Sequence, residues 1–261
     1  KTLRQRGADS AVGVAVVAMP QVVREHEVYF AKLAEQAERY DEMVEHMKNV
    51  CVMGQELDGE ERQLVAVAFK QACGARRASW RTVAMVESQE REKGSHASAT
   101  SAKAYRKKIE MELKEYCGSM LDLLNQHLIP RSSTAEARVM FHKQAGDYQR
   151  YIAEISDDVE RTKAADFAKQ AYEDGAKIAE ESLSVVSPTR LGLALNHAVF
   201  YYEVMRNPTE AVGIARKAFE DAVRELETAS LETPADSGKD ATLLMQLLRD
   251  NLTLWTSEDI M

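Results

Sequence analysis

From residue 24 onward, apolar positions recur three and four residues apart almost without interruption, the period of a buried stripe on an α-helix. The pattern stops at Gly54–Gly59, Gly94–Ser98, Ile129–Ser133, Ser156–Asp157, Val186–Pro188, Asn207–Pro208 and Thr233–Gly238, and more faintly at Arg39–Tyr40. The clear stops contain Gly, Pro, Ser, Asn or Asp, which end one helix or cap the next. Ser187-Pro188 and Asn207-Pro208-Thr209-Glu210 are good helix starts, since proline's missing N–H is not needed in a first turn. Cutting at these points leaves about nine helices. Short connections make consecutive helices antiparallel neighbours. No motif recurs with a period of about 34 or 40 residues, which disfavours a regular solenoid. The expected fold is therefore all-α. Nine antiparallel helices fill one domain over residues 24–257, between an N-terminal extension over 1–23, expected to be flexible, and a short tail over 258–261.

Composition supports this reading. Gly 12 and Pro 5 among 261 residues are too few turn formers to join many short strands. The net charge of −8 lacks the basic surplus of a general nucleic-acid binder. Three cysteines without a CxxC predict buried free thiols in a reducing compartment. No apolar run approaches the roughly 18 residues that span a bilayer. Lys1, Arg4 and Arg6 before the apolar run Ala11–Met19 loosely imitate a secretory leader, but the run is short and Asp9 interrupts the approach. The expected location is cytoplasmic.

Candidate chemistry lies in helical stripes. At about 100° per residue, Lys70, Arg77 and Arg81 fall within about 20° of one line, beside Leu64, Val65, Val67, Ala68 and Trp80. Lys143 and Arg150 align in the same way, with Asp147 between them and Tyr151 adjacent. Asp147 can orient an arginine while leaving a guanidinium edge free, and Tyr151 offers a hydroxyl donor. Two readings fit such stripes: solvated basic faces, or an anion site on an acidic protein, where arginine forks match phosphate geometry. A third stripe holds Leu195, Asn196, Val199 and Glu203. A fourth holds Leu244, Leu247, Asn251 and Leu254. Each is either plain core or an apolar wall with one amide able to pair with a peptide backbone.

Catalysis finds little support. The six histidines form no HExxH and no metal spacing with the cysteines. GxGxxG, Walker and GxSxG motifs are absent. Glu56, Asp58, Glu60 and Glu61 lack the ligand spacing of a calcium loop and read as a helix cap. No catalytic residue, cofactor or metal is expected.

The blocks carrying these stripes resemble the 14-3-3 family. They are Phe69-Lys70-Gln71-Ala72-Cys73-Gly74-Ala75-Arg76-Arg77-Ala78-Ser79-Trp80-Arg81, Gly146-Asp147-Tyr148-Gln149-Arg150-Tyr151, Arg190-Leu191-Gly192-Leu193-Ala194-Leu195-Asn196 and Gln246-Leu247-Leu248-Arg249-Asp250-Asn251-Leu252-Thr253-Leu254-Trp255. Lys32–Tyr40 is similar to the family's start, and the likeness runs in family order over roughly 24–257. The resemblance implies a cup-shaped, dimeric protomer that binds phosphoserine or phosphothreonine segments in an amphipathic groove, without catalysis. By matched position, Lys70, Arg77, Arg150 and Tyr151 would hold the phosphate. Asn196 and Asn251 would bond the peptide backbone. Leu195, Val199, Leu244, Leu247 and Leu254 would form the apolar wall, supported by Lys143, Asp147, Glu203 and Trp255.

The same resemblance implies a dimer interface through Leu33, Ala37, Ser79, Val83 and Tyr105, with cross-subunit ion pairs Arg39–Glu112 and Glu42–Lys108. The implied partners are phosphorylated client proteins and a second copy or a paralogue, with no nucleic acid and no membrane span. A different reading of the groove is a scaffold for unphosphorylated amphipathic segments. The chain departs from the family at Gln63, Ala66, Phe69 and Gln71 around Lys70, at His197 where Phe is usual, and at Gly238 in place of Tyr. These leave peptide preference open and mark a divergent member.

Overall fold

The computed structural model describes residues 8–229 and 239–258. Among them the chain forms nine α-helices and no strand: α1 (Ala8–Gln36), α2 (Tyr40–Val52), α3 (Gly59–Glu92), α4 (His96–Leu123), α5 (Ala135–Ile155), α6 (Asp158–Ser182), α7 (Pro188–Glu203), α8 (Pro208–Ala229) and α9 (Lys239–Glu258). A π-helical turn (Leu124–Leu128) and a 3-10 turn (Ile129–Arg131) follow α4. The all-α expectation holds.

The helix stops have visible causes. Asp58 caps α3 by accepting from the Glu61 N–H at 2.8 Å, and the Glu61 carboxylate returns to the Asp58 N–H at 3.0 Å. Thr134 and Asn207 accept from backbone N–H groups of the first turns of α5 and α8. Gly94, at φ +77°, ends α3 in a left-handed residue. Ser95 N–H then reaches back to the Glu90 carbonyl at 2.9 Å. Glu38 does the same after α1 at φ 55°, with Arg39 N–H bonded to the Ala34 carbonyl at 2.8 Å. The stop read at Gly94–Ser98 is shorter than expected, because α4 already starts at His96. The stop at Thr233–Gly238, and Gly238 itself, lie outside the described residues. So do residues 1–7 and 259–261. Helix α1 begins at Ala8, inside the stretch expected to be a flexible extension, and Glu258 closes α9.

The helices group into two compact units, one through Arg131 and one from Ser132. In the first, Met43, Val44 and Met47 of α2 join Leu64, Phe69 and Cys73 of α3 and Leu113, Cys117 and Met120 of α4 in a buried core. Arg24 of α1 is buried in the same unit. Its Nε and Nη2 donate to the Glu61 carboxylate at 2.7 and 2.6 Å, Nη1 to the Val50 carbonyl at 3.3 Å, and Nη2 also to the Glu56 carbonyl at 3.5 Å. Cys51, Cys73 and Cys117 are free and buried, as the cysteine count implied.

In the second unit, Val139, Tyr172, Leu191, Leu193, Phe200, Leu248 and Trp255 anchor a core shared by α5 to α9. Gly146 lets α5 and α6 approach closely. A Cβ there would lie 2.6 Å from the Tyr172 ring, inside van der Waals contact.

Candidate functional site

Lys143, Asp147 and Arg150 share one face of α5 through their i, i+4, i+7 spacing. Asp147 is buried at the centre of this face. Its carboxylate accepts from Lys143 Nζ at 2.8 Å, from the Tyr172 hydroxyl at 2.6 Å, and from Asn196 Nδ2 at 2.8 and 3.0 Å. Burial opposes the Asp147 charge, but Lys143, Arg150 and these hydrogen bonds outweigh it, so the carboxyl titrates below its usual range. Burial together with Asp147 pushes the Tyr172 phenol well up.

Arg150 leans on this network without being used up by it. Its Nε donates to the Tyr172 oxygen at 3.4 Å. Nη2 lies 3.6 Å from Asp147 and Nη1 lies 3.8 Å from Glu203, outside ordinary hydrogen-bond range. Burial works against the guanidinium, yet Tyr172, Asp147 and Tyr151 raise its pKa, so it stays charged. The guanidinium carbon sits 5.0 Å over the Tyr151 ring. A held, charged fork with both terminal nitrogens only loosely engaged is suited to an oxyanion.

The other stripes of this unit have distinct fates. Asn196 commits its amide nitrogen to Asp147, so its carbonyl oxygen remains for a ligand. Leu195, Val199, Leu244 and Asn251 are half-buried. Leu247 and Leu254 are 41% and 54% exposed on one side of α9. Trp255 is buried and stacks on Tyr202 at 4.7 Å. Tyr172 donates to Asp147 and Gly146 admits its ring, and helical spacing reveals neither role. Tyr172 comes from another helix, and no spacing within one helix could reveal it.

In the first unit, Lys70 is exposed on α3 and Arg77 half-buried. Of the residues assigned to a dimer contact, Leu33, Ala37, Ser79 and Tyr105 are exposed and Val83 is half-buried. Ser79 Oγ donates to the Ala75 carbonyl at 2.9 Å. The expected cross-subunit ion pairs have partners inside the chain: Arg39 pairs with Glu42, and Glu112 lies 3.4 Å from Arg76. Lys108 is exposed. Among the described residues no cluster of His, Cys, Asp and Glu could hold a metal ion, and no helix is long and apolar enough to cross a membrane.

A prepared cationic fork beside an apolar, amide-bearing face on an all-helical protein has the parts of a binding protein. The chain is a member of the 14-3-3 family: the family model "14-3-3 protein" matches residues 30–256. It is 51% identical over 235 residues to "14-3-3 family protein artA" of Aspergillus flavus, covering 90% of this chain and 97% of that protein. It is 50% identical over 235 residues to "14-3-3-like protein GF14 epsilon" of Arabidopsis thaliana, covering 90% and 91%. A "14-3-3 protein homolog" of Candida albicans is 52% identical over 233 residues, covering 89% and 87%. The family membership supports an adaptor role.

Proposed function

We propose that the chain binds phosphoserine or phosphothreonine segments of client proteins in the cytoplasm, as a dimer with a second copy or a paralogue and without turnover. Arg150 carries the reading: it is buried, charged and oriented by Asp147 and Tyr172, with both terminal nitrogens beyond hydrogen-bond range of their neighbours. Arg150 and Tyr151 are the proposed phosphate ligands of the second unit, joined on the family resemblance by Lys70 and Arg77. The Asn196 carbonyl and Asn251 bond the client backbone, while Leu195, Val199, Leu244, Leu247 and Leu254 take its apolar side chains. The exposed Leu33, Ala37 and Tyr105 are the proposed apolar centre of the dimer contact, where rim ion pairs add at most about 1 kcal/mol each.

Phosphate adds about 1.5 to 2 negative charges and three acceptor oxygens, and hydrogen bonds to charged groups contribute roughly 1.5–3 kcal/mol each. A fluorescent peptide titrated with and without its serine phosphate should therefore bind only in the phosphorylated form. Arg77→Ala and Arg150→Ala should each weaken it about tenfold or more, since about 1.4 kcal/mol is a factor of ten. Equal binding of both peptide forms would favour the scaffold for unphosphorylated segments, to which the exposed Leu247 and Leu254 also lend themselves.

A further inference from the structure

The second unit holds a pocket of about 390 Å³ lined by α6, α7 and α8, within the size range of small-molecule pockets. It is separate from the anion site. At about 100° per residue, Ala194, His197 and Tyr201 lie about 100–160° around α7 from Asn196, so α7 shows one face to Asp147 and another to the cavity. Leu191, Leu193, Ala194 and Ile214 give the cavity an apolar floor.

Its charges are unevenly placed. Glu173, Glu180, Glu210 and Asp221 face Arg190 and Lys217. Both side chains are held, though the carbonyls on Arg190 leave its charge in place. Lys217 Nζ pairs with Glu180 at 2.6 Å, and Arg190 Nη1 donates to the Ala179 and Leu183 carbonyls at 3.2 and 2.8 Å. Asp221 meets Arg224 at 3.1 Å. Glu173 is only 3.8 Å from Lys169, a loose contact, Glu210 has no ion pair among the described residues, and the Tyr201 phenol shares their wall. Burial, then Glu173 and Glu210, raise the pKa of that phenol, so both carboxylates act on one corner of the cavity. The His197 ring forms part of the wall. It is 7% exposed, and its Nε2 has no hydrogen-bond partner.

We infer that this cavity is a binding site for a small amphiphilic amine, with the apolar body against Leu191, Leu193 and Ile214 and the ammonium at Glu173, Glu210 and Tyr201. An ammonium supplies three donors and one positive charge, which answers two carboxylates of which one has a single loose cation contact and the other none. An anionic amphiphile of equal size would be repelled at that corner and bind less tightly.

Titration of the full chain with 4-phenylbutylammonium and with 4-phenylbutanoate, followed by amide chemical shifts and calorimetry, separates charge from mere apolarity. The amine should bind saturably at one site, with shifts confined to α6, α7 and α8, and at least about tenfold more tightly than the carboxylate. Glu173→Gln with Glu210→Gln should remove that preference. Gly213→Leu should block the amine while the fold is kept, because Gly213 borders the cavity with open space where a Cβ would stand. Phosphopeptide binding reports the fold of each variant, since none of these residues touches Arg150. Equal affinity for the two probes, shifts elsewhere, or a double variant that binds the amine unchanged overturns the proposal.

Discussion

Two buried arginines, Arg24 in the first unit and Arg150 in the second, show how the same side chain is turned to different ends. Arg24 spends its guanidinium on Glu61 and on the Val50 and Glu56 carbonyls. Nothing is left for a ligand, so its work is to fasten α1 to α3. Arg150 makes one long hydrogen bond through Nε and keeps its terminal nitrogens 3.6 and 3.8 Å from acidic oxygens. The buried carboxylate beside it is instead saturated by Lys143, Tyr172 and Asn196. Burial of an arginine therefore does not distinguish anchor from site. What distinguishes them is how much of the fork the protein itself consumes.

The largest expected effect breaks the anchor. Arg24→Leu strands the Glu61 charge, and losing one partner of a buried pair typically costs about 3–5 kcal/mol. Urea unfolding should show that loss, while phosphopeptide affinity of the folded protein stays the same. A loss below about 1 kcal/mol would mean that Arg24 is no anchor.

Acid sharpens the contrast next. Burial, with Lys169 adding to it, lowers the His197 pKa from 6.5 to about 4. Between those values the unfolded chain binds the proton and the folded chain does not, so this group removes stability as the pH falls from about 6.5 toward about 4. His197→Phe should recover about 2–3 kcal/mol near pH 4 relative to the parent, and little at pH 8. Hydrogen exchange should place the gain in α6 to α8. A gain centred on α1 to α4 would contradict the assignment.

The smallest effect tests what holds the fork. Tyr172→Phe removes one donor from the buried Asp147 and the acceptor for Arg150 Nε, at a cost of about 1–3 kcal/mol. Calorimetry should show weaker binding of a phosphopeptide with little change for its unphosphorylated form. If only stability moved, Tyr172 would be core and not a positioning residue.

Much of this architecture was legible in the chain because helix ends carry local chemistry. Asp58, Gly94, Pro188 and Asn207 stop or start helices by rules that need no neighbour. The end of α1 was faint for a physical reason: Glu38 takes the left-handed position where glycine is usual. The π-turn at Leu124–Leu128 was invisible, because those residues suit an ordinary helix equally well. The α5 stripe gave Lys143, Asp147 and Arg150 together, since one helix fixes their spacing. Tyr172 and the Arg24–Glu61 pair depend on which helices meet, and periodicity carries no such information. His197 stood out only as a departure, and its unpartnered nitrogen needed the packing to be seen.

The three buried cysteines bear on labelling. Thiol reagents attack the thiolate. Burial pushes the Cys51 thiol up to about 12, and contact with Cys73 together with burial pushes Cys117 well above its ordinary value. With Cys 3 in the whole chain and all three enclosed, the native surface offers a maleimide little to react with. A single cysteine placed at an exposed position would take up a dye or spin label selectively, with every native thiol left in place.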